Sequence, residues 1–299
     1  MLSLHTNAAS LSTQNSLGST NKALGSSMTK LGTGFRVNSA MDDAAGLQIA
    51  TRLNAQTRGM QVAQKNTQNG ISMLQTAEGA LSEVGNILLR MKDLATEAAN
   101  ATANTDDKAA MQAEYDSLGK EIKNIIENTS FGGANLFNQA TAAPKKGTLT
   151  AAITFQIGAS KDETMSLDVK TKLSDLAKAD GTLFAATSNF TTDALGTELT
   201  ATASTTAGAN IMIGKLDTAI NAVATFRSDL GAASNRLEHT YNNLGNMIQN
   251  TEAAKGRIMD VDYATETSNM TSKQMLMQAS TSMLKQSNSM SQMVASLLQ

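Results

Sequence analysis

The side chains that could carry out chemistry are few in this sequence. No cysteine occurs, which excludes disulfides, zinc–thiolate sites and cysteine nucleophiles. The two histidines, His5 and His239, are too far apart in sequence to form a metal-binding pair on one helix, and Glu238-His239 lacks the spacing of a zinc protease. We interpret His239 as a residue on the flank of a helix and His5 as part of a frayed chain end.

Two acidic clusters match catalytic or metal-binding patterns only in part. Asp260, Asp262 and Glu266 resemble the start of a calcium loop, but the glycine at the sixth position and the glutamate at the twelfth are absent. Asp42 and Asp43 are adjacent, and adjacent helical residues point about 100° apart, so they do not form an acid–base pair. We therefore predict that the Asp260 to Glu266 cluster is a helix cap and solvated bend, and that Asp42 and Asp43 have a structural role in the connector.

The glycine-rich segments do not match a phosphate-binding loop. Gly32-Thr33-Gly34 lacks a third glycine and no strand precedes it. The segment from Gly208 to Lys215 has the wrong spacing and is followed by Leu216 instead of Ser or Thr. Since no catalytic set, metal site or cofactor site emerges, we predict that the protein is not an enzyme and binds no cofactor.

The composition favours long helices. The chain has 299 residues with 17 Met, 7 Phe, 3 Tyr, no Trp and a single proline, which suits helices better than large sheets. The 24 basic and 26 acidic residues nearly balance, which argues against nucleic acid as a partner. The sequence contains no run of about 18 apolar residues, so it does not predict membrane insertion. Its first residues lack the basic and apolar regions of a cleaved signal peptide.

Strict seven-residue periods mark two inner segments. The first has two seams of a coiled-coil-like stripe, formed by Leu53, Met60, Thr67, Leu74, Leu81, Leu88 and Ala95 and by Ala63, Gly70, Ala77, Val84, Met91 and Ala98. The second repeats this period near the other end with Leu216, Val223, Leu230, Leu237, Leu244 and Ile258, and Thr251 is a gap in the stripe. A long helix cannot bury such a stripe alone, so we predict that the two halves of the chain pack together.

The two ends of the chain carry stripes of their own. In the N-terminal stripe, a helical period with one slip in phase includes Leu4, Leu11, Leu17, Leu24 and Leu31. In the C-terminal stripe, Leu276, Met283, Met290 and Leu297 recur every seven residues, with Ala279 and Val294 beside them. Residues 1–40 contain three bases and no acid. A single helix of this kind is marginal in water, so we predict that the ends fold when subunits assemble.

The middle of the chain differs from both halves. A second helix with Met111, Tyr115, Leu118, Ile122 and Ile125 on its stripe is predicted to begin near Asp106 and to end with a C-cap and turn at Ser130–Gly133. The alternating segments Thr148–Ile157 and Thr164–Val169 predict one β-hairpin. The stretch 187–206 is rich in Ser and Thr, and we interpret it as an exposed loop, with O-linked sugars as the alternative.

The predicted fold is mainly α. Long antiparallel helices from the N- and C-terminal halves form a coiled-coil-like bundle, with a small β-hairpin region in the middle. The predicted boundaries are 1–42 for a terminal helix and connector, 43–175 for inner helices and the hairpin, 176–209 for a variable surface segment, 210–259 for a returning helix and 260–299 for the last helix.

Several stretches together resemble bacterial flagellin, the subunit of the flagellar filament. They are Gly34–Gly46 (GFRVNSAMDDAAG), Asn69–Ser72, Thr76–Leu81, Arg227–Ala232, Asp262–Glu266, Ser268–Met270 and Ser296–Leu298. The resemblance covers roughly residues 1–175 and 210–299. It implies that the terminal helices pair as a coiled coil in a domain called D0, and that the inner helices and hairpin form D1. The short middle segment implies at most a stub in place of an outer domain.

The resemblance also implies partners and a location. The chain would polymerise with itself in an extracellular filament used for motility, and would meet hook-associated junction and cap proteins there. It would leave the cell by type III export without a cleaved signal peptide, after a flagellar export chaperone covers the C-terminal helix. Similar flagellins are recognised by a Toll-like receptor of the host, and this sequence matches that patch at Arg90, Leu94 and Glu114. It departs from the patch at Leu89 and Glu97.

Three other functions stay open at this point. A hook–filament junction protein shares helical termini but does not polymerise indefinitely. A flagellin scaffold that carries an enzyme needs a longer middle segment with spaced metal ligands. A cytoplasmic helical adaptor would not be labelled on the surface of intact cells.

Overall fold

Six α-helices account for most of the described chain. The computed structural model describes residues 7–138, 147–177, 198–200 and 208–297. The helices are α1 (Ala8–Thr33), α2 (Ala44–Ala98), α3 (Thr105–Asn128), α4 (Lys170–Ala177), α5 (Ala209–Met259) and α6 (Tyr263–Leu297). The mainly α fold class is therefore confirmed. Most of the predicted variable segment 176–209 lies outside the described residues.

Side-chain caps set the start of several helices. Asn7 accepts a hydrogen bond from the backbone N–H of Ser10 at the start of α1. At the start of α3, Asn104 and Asp107 form a capping box, in which each side chain accepts from the backbone N–H of the other. The predicted role of Asp43 in the connector is confirmed, because its carboxylate accepts from the N–H of Gly46 at 2.8 Å and caps α2.

The strands form two small antiparallel sheets. β1 (Ser130–Phe131) pairs with β2 (Ala134–Asn135), and β3 (Ile153–Gln156) pairs with β4 (Thr164–Leu167). The β3–β4 pair confirms the predicted hairpin, with Ile153 opposite Leu167 and Gln156 opposite Thr164. Its first strand starts later than predicted, since Thr148–Thr150 forms a 3₁₀ turn.

The predicted C-cap at Ser130–Gly133 is wrong. α3 ends at Asn128, with the extended residue Thr129 as its C-cap. Gly132 and Gly133 have φ angles of 59° and 84°. Two successive residues with positive φ form the tight turn that joins two strands, so this glycine pair connects β1 to β2.

The described chain divides into two compact units. The terminal unit comprises Met1–Thr57 and Ile248–Gln299, and the central unit comprises Arg58–Met247. The core of the central unit is formed by the predicted heptad positions of α2 and α5. Contacts between Glu78 and Arg227 and between Lys92 and Asp217 show that these two helices run antiparallel.

The predicted packing residues lie where the seven-residue period puts them. Leu74, Leu81, Leu88, Leu216, Val223, Leu230, Leu237 and Leu244 are buried, and Leu53 is half-buried. Phe226 of α5 also contacts Phe137, with ring centroids 6.3 Å apart and planes tilted by 60°. Among the described residues, no helix combines the length and hydropathy that a membrane span requires.

Candidate assembly surface

The terminal unit is built on the antiparallel pair of α1 and α6. The Nδ2 of Asn7 lies 3.1 Å from the Oγ of Ser287, and near the other end of α1 the Nζ of Lys273 donates to the Oγ of Ser27 at 2.7 Å. The same Nζ lies 3.4 Å from the carbonyl oxygen of Ala23. Each contact joins the two ends of the chain, so the predicted pairing of the terminal helices is present in the structure.

The pairing seam of α1 and α6 is partly polar. Leu24 and Ser27 of α1 are buried, and Leu17 and Leu31 are half-buried on the same side of that helix. On α6, Ser280 is buried, and Met270, Lys273, Met277, Leu284 and Ser287 are half-buried. The predictions missed the polar members Ser27, Lys273 and Ser280. A search for small residues at seven-residue spacing could have found the two serines.

The predicted C-terminal stripe lies on a different side of α6. Leu276, Met283 and Met290 are each more than half exposed. The structure therefore does not use them to pair α6 with α1. At about 100° per residue, they fall beside the pairing seam and not within it. Leu11 of α1 is also exposed, Leu4 lies outside the described residues, and so do the side chains of Val294 and Leu297.

The two connectors of the terminal unit are held together by backbone hydrogen bonds. The N–H of Arg36 donates to the carbonyl oxygen of Met259 at 2.6 Å, and the N–H of Val261 donates to that of Gly34 at 3.0 Å. The Arg36 guanidinium donates to the carbonyl oxygen of Ile258 at 2.8 Å. This clasp joins the end of α1 to the junction between α5 and α6.

Gly34 is required at the end of α1 because of its backbone conformation. Its φ is 78°, and a Cβ built there would lie 3.0 Å from the Tyr263 hydroxyl. We expect Gly34→Ala to speed hydrogen exchange of the α1 amides by about fivefold or more, since a left-handed residue with a Cβ costs about 1–2 kcal/mol.

The matched control for Gly34→Ala is Gly32→Ala, on the same helix. A Cβ at Gly32 would meet no atom within 4 Å. Alanine favours a helix over glycine by about 0.5–1 kcal/mol, so exchange should slow or stay unchanged. Equal effects of the two substitutions would show that the left-handed cap is unimportant.

Asp262 caps a helix, as predicted, and Asp42 has the predicted structural role in the connector. The carboxylate of Asp262 accepts from the Thr265 hydroxyl and from the N–H groups of Thr265 and Ala264 at the start of α6. These bonds hold the pKa of Asp262 below its ordinary value. The pKa of Asp42 is likewise lowered, because Asp42 accepts from the N–H groups of Ser39 and Asn38 and from the Ser39 hydroxyl.

The Asp262 cap makes a pH-dependent contribution to stability. A carboxylate whose pKa is lowered by folding stabilises the folded state above its unfolded pKa of about 3.9, and this contribution is lost as pH falls through the folded pKa. We expect Asp262→Ala to lower the midpoint of thermal unfolding between pH 5 and 7, and this difference to shrink toward pH 3. Circular dichroism melts of both chains across this range measure it. A difference that stays constant down to pH 3 would contradict the role of the ionised cap.

The predicted receptor residues lie in the central unit, on α2 and α3. Arg90 donates from Nε and a terminal nitrogen to Glu114, at 2.9 and 2.7 Å. Glu114 raises the pKa of the Arg90 guanidinium. The two residues border an open hollow of about 620 Å³ that Leu94, Glu97 and Asp107 also line. Leu94 is only 3% exposed, so it lies at the base of this hollow.

The described surface offers apolar and charged side chains for contacts between proteins. Within the described part of the chain, no three His, Asp or Glu side chains come together as metal ligands. The described surface instead presents large apolar side chains on both terminal helices.

Comparison with known proteins assigns this architecture to a family. A sequence model of the bacterial flagellin N-terminal helical region matches residues 4–142, and one of the bacterial flagellin C-terminal helical region matches residues 213–298. The chain is 40% identical to flagellin of Bacillus subtilis (strain 168) and 37% identical to flagellin of Halalkalibacterium halodurans, each across 99% of both chains. A crystal structure of Bacillus cereus flagellin is 35% identical and covers 60% of this chain and 88% of that chain, with a TM-score of 0.46. Together, the two family matches and the near-full-length identities show that the chain belongs to the bacterial flagellin family.

Proposed function

We infer that the chain is a structural subunit that polymerises into the bacterial flagellar filament through its terminal helical regions, and that it is not an enzyme. The observation that carries this inference is the apolar surface of the terminal helices. Among the Leu and Met side chains that the structure describes there, seven are between 52% and 60% exposed: Leu11, Met28, Met275, Leu276, Met283, Met290 and Met293. Contact with further copies of the chain would remove this surface from water, at a gain of about 25 cal/mol per Å².

The terminal stripes therefore have a divided role in our proposal. Leu17, Leu24 and Leu31 pack α1 against α6 within one subunit. The exposed residues Leu276, Met283 and Met290 contact neighbouring subunits. The low charge of α6, whose described charged residues are Glu266, Lys273 and Lys285, permits such burial without leaving many charges unpaired.

We also propose the domain assignment. Residues 1–42 and 260–299 form D0, and residues 43–175 and 210–259 form D1, with 176–209 as a short surface segment. Support comes from the clasp of Arg36 and Met259, where the terminal helices end. The compact terminal unit extends beyond these boundaries into both inner helices, to Thr57 and from Ile248.

Seeded polymerisation tests the function. Purified chain is added to sheared fragments of its own filaments, and filament length is followed by electron microscopy. We expect continuous growth until free subunits are depleted. Growth that stops at short caps would favour a hook–filament junction protein, and a chain that stays soluble would contradict the filament role.

We also propose that the terminal helices bind an export chaperone and the hook-associated junction and cap proteins. The exposed Leu276 side of α6 is an amphipathic helix surface of the kind that an export chaperone covers before assembly. Hook-associated junction and cap proteins would contact the same terminal helices at the two ends of the filament. The proposed location is extracellular, in the flagellar filament.

We further propose the Arg90–Glu114 surface as the site that a host Toll-like receptor contacts. The two side chains lie together and are about half exposed, at 55% and 45%. The neighbouring hollow could receive a protruding side chain of the receptor. Leu94 would act mainly by supporting the floor of that hollow, because it is buried. Receptor signalling by the Arg90→Ala chain, compared with the unmodified chain, tests this assignment.

A further inference from the structure

One side of α6 is unusually rich in exposed sulfur. Met275, Met283, Met290 and Met293 are 60%, 59%, 52% and 57% exposed. At about 100° per residue, these four side chains and Leu276 fall within an arc of about 100° around the helix. We call these four methionines the methionine face.

The methionine face is distinct from the pairing seam. Met277 and Ser280, which face α1, lie outside its arc. The described charged residues of α6, which are Glu266, Lys273 and Lys285, also lie outside it by the same helical spacing. The face is therefore available to solvent in a single subunit, and no charged side chain of α6 interrupts it.

Methionine differs from leucine in its chemistry more than in its packing. Both fill apolar space, but the thioether sulfur is oxidised to a sulfoxide, which is polar and chiral and disrupts methionine-rich interfaces. The chain has 17 methionines and no cysteine, so methionine sulfur is the only sulfur that an oxidant meets. Exposure decides which methionines react first, and the methionine face is more than half exposed.

We propose that the methionine face is an oxidation site that controls assembly, with hydrogen peroxide as the oxidant. This proposal rests on the proposed filament function, in which a second copy of the chain covers the face. Sulfoxides on the face of a free subunit leave polar S–O groups that the second copy buries without hydrogen-bond partners, which opposes binding.

The chemistry balances without a cofactor. A lone pair on the thioether sulfur attacks one oxygen of hydrogen peroxide, and an S–O bond forms as the O–O bond breaks. The sulfur loses two electrons, and the departing oxygen leaves as water after proton transfer. A methionine sulfoxide reductase reverses the change, since two thiols form a disulfide and the sulfoxide oxygen leaves as water.

A difference between free and assembled protein follows. A free subunit presents the face to the oxidant, whereas an assembled subunit has it covered by its neighbour. Oxidation would therefore stop growth while leaving existing filaments intact.

The experiment compares oxidation before and after assembly, with the full chain in both arms. Free chain and preformed filaments are treated with the same peroxide dose, sulfoxide at each methionine is measured by peptide mass spectrometry, and growth from untreated seeds is followed. We expect the treated free chain to elongate seeds about tenfold more slowly or worse. We expect less sulfoxide on the methionine face in filaments than in free chain.

Two substituted chains identify the residues responsible. In the first, Met275, Met283, Met290 and Met293 are replaced by leucine, which keeps volume and apolarity, so its growth should resist peroxide. In the matched control, Met41→Leu with Met247→Leu removes exposed methionines, at 96% and 38%, from outside the face. That control should stay as sensitive as the unmodified chain. Reductase and thiol should restore growth of the oxidised unmodified chain.

The outcomes separate this proposal from the proposed function. Failure of the untreated chain to elongate seeds would contradict the filament role itself. Normal growth of untreated chain, with the four-leucine chain still sensitive to peroxide, would overturn the oxidation proposal alone. If the four-leucine chain does not assemble, equal sulfoxide on the face in filaments and in free chain would overturn it.

Discussion

A chain cut to residues 45–258 is expected to fold and to form no filaments at all. The cut removes α1, α6 and the clasp between Gly34 and Val261, and with them the exposed apolar residues of the terminal helices. It keeps every residue of the central unit, from Arg58 to Met247. Since polymerisation is assigned to the terminal helices, the effect is complete loss and not a reduced rate.

Pelleting by ultracentrifugation and electron microscopy of seeded samples measure this loss, and circular dichroism checks the fold of the shortened chain. Its thermal unfolding should remain cooperative, because the buried heptad positions of α2 and α5 are intact. Mixing it with full-length chain supplies the control, since the shortened chain should stay in the supernatant while the full chain pellets. Filaments built from the shortened chain would place the assembly surface in the inner helices.

The second large effect is expected in the core. Leu88→Ala should lower the free energy of unfolding by about 3 kcal/mol, because Leu88 is fully buried and truncation leaves a cavity among its neighbours. Urea denaturation followed by circular dichroism measures the change as a lower midpoint with little change in slope.

The neighbouring residue provides the control for this core substitution. Leu89 is 52% exposed, and Leu89→Ala removes the same atoms from the next position of the same helix. Its effect should stay within about 0.5 kcal/mol. Similar losses at both positions would mean that the alternation of burial along α2 is not what stabilises the central unit.

The inner helices were predictable because their pattern is unambiguous. A strict seven-residue period over α2 and α5 leaves one choice of buried side, and Leu74, Leu81, Leu230 and Leu237 are all buried. The hairpin was predictable for a similar reason, since alternation in β3 and β4 allows only one pairing region.

The terminal helices were harder to predict in detail because α6 carries apolar residues on more than one side. Met277 and Leu284 recur every seven residues, as Met283 and Met290 do, so periodicity alone does not decide which series faces α1. The seam between α1 and α6 also buries Ser27 of α1 and Ser280 of α6, which a search for apolar residues does not find. The packing of α6 against α1 determines which of the two series is buried, and the periodicity of α6 alone does not contain that information.

The pairing of α1 with α6 has a consequence for the order of folding. Asn7 and Ser287 are in contact although 280 residues separate them along the chain. Contacts between residues so far apart in sequence form slowly, because closing the long loop between them costs conformational entropy before the contacts contribute any stabilisation. Once α2 and α5 have packed against each other, the effective loop between Asn7 and Ser287 is much shorter. Formation of the central unit should therefore lower the entropic cost of pairing α1 with α6. Folding would then proceed from the middle of the chain outward, and the two ends would be the last to close and the first to open.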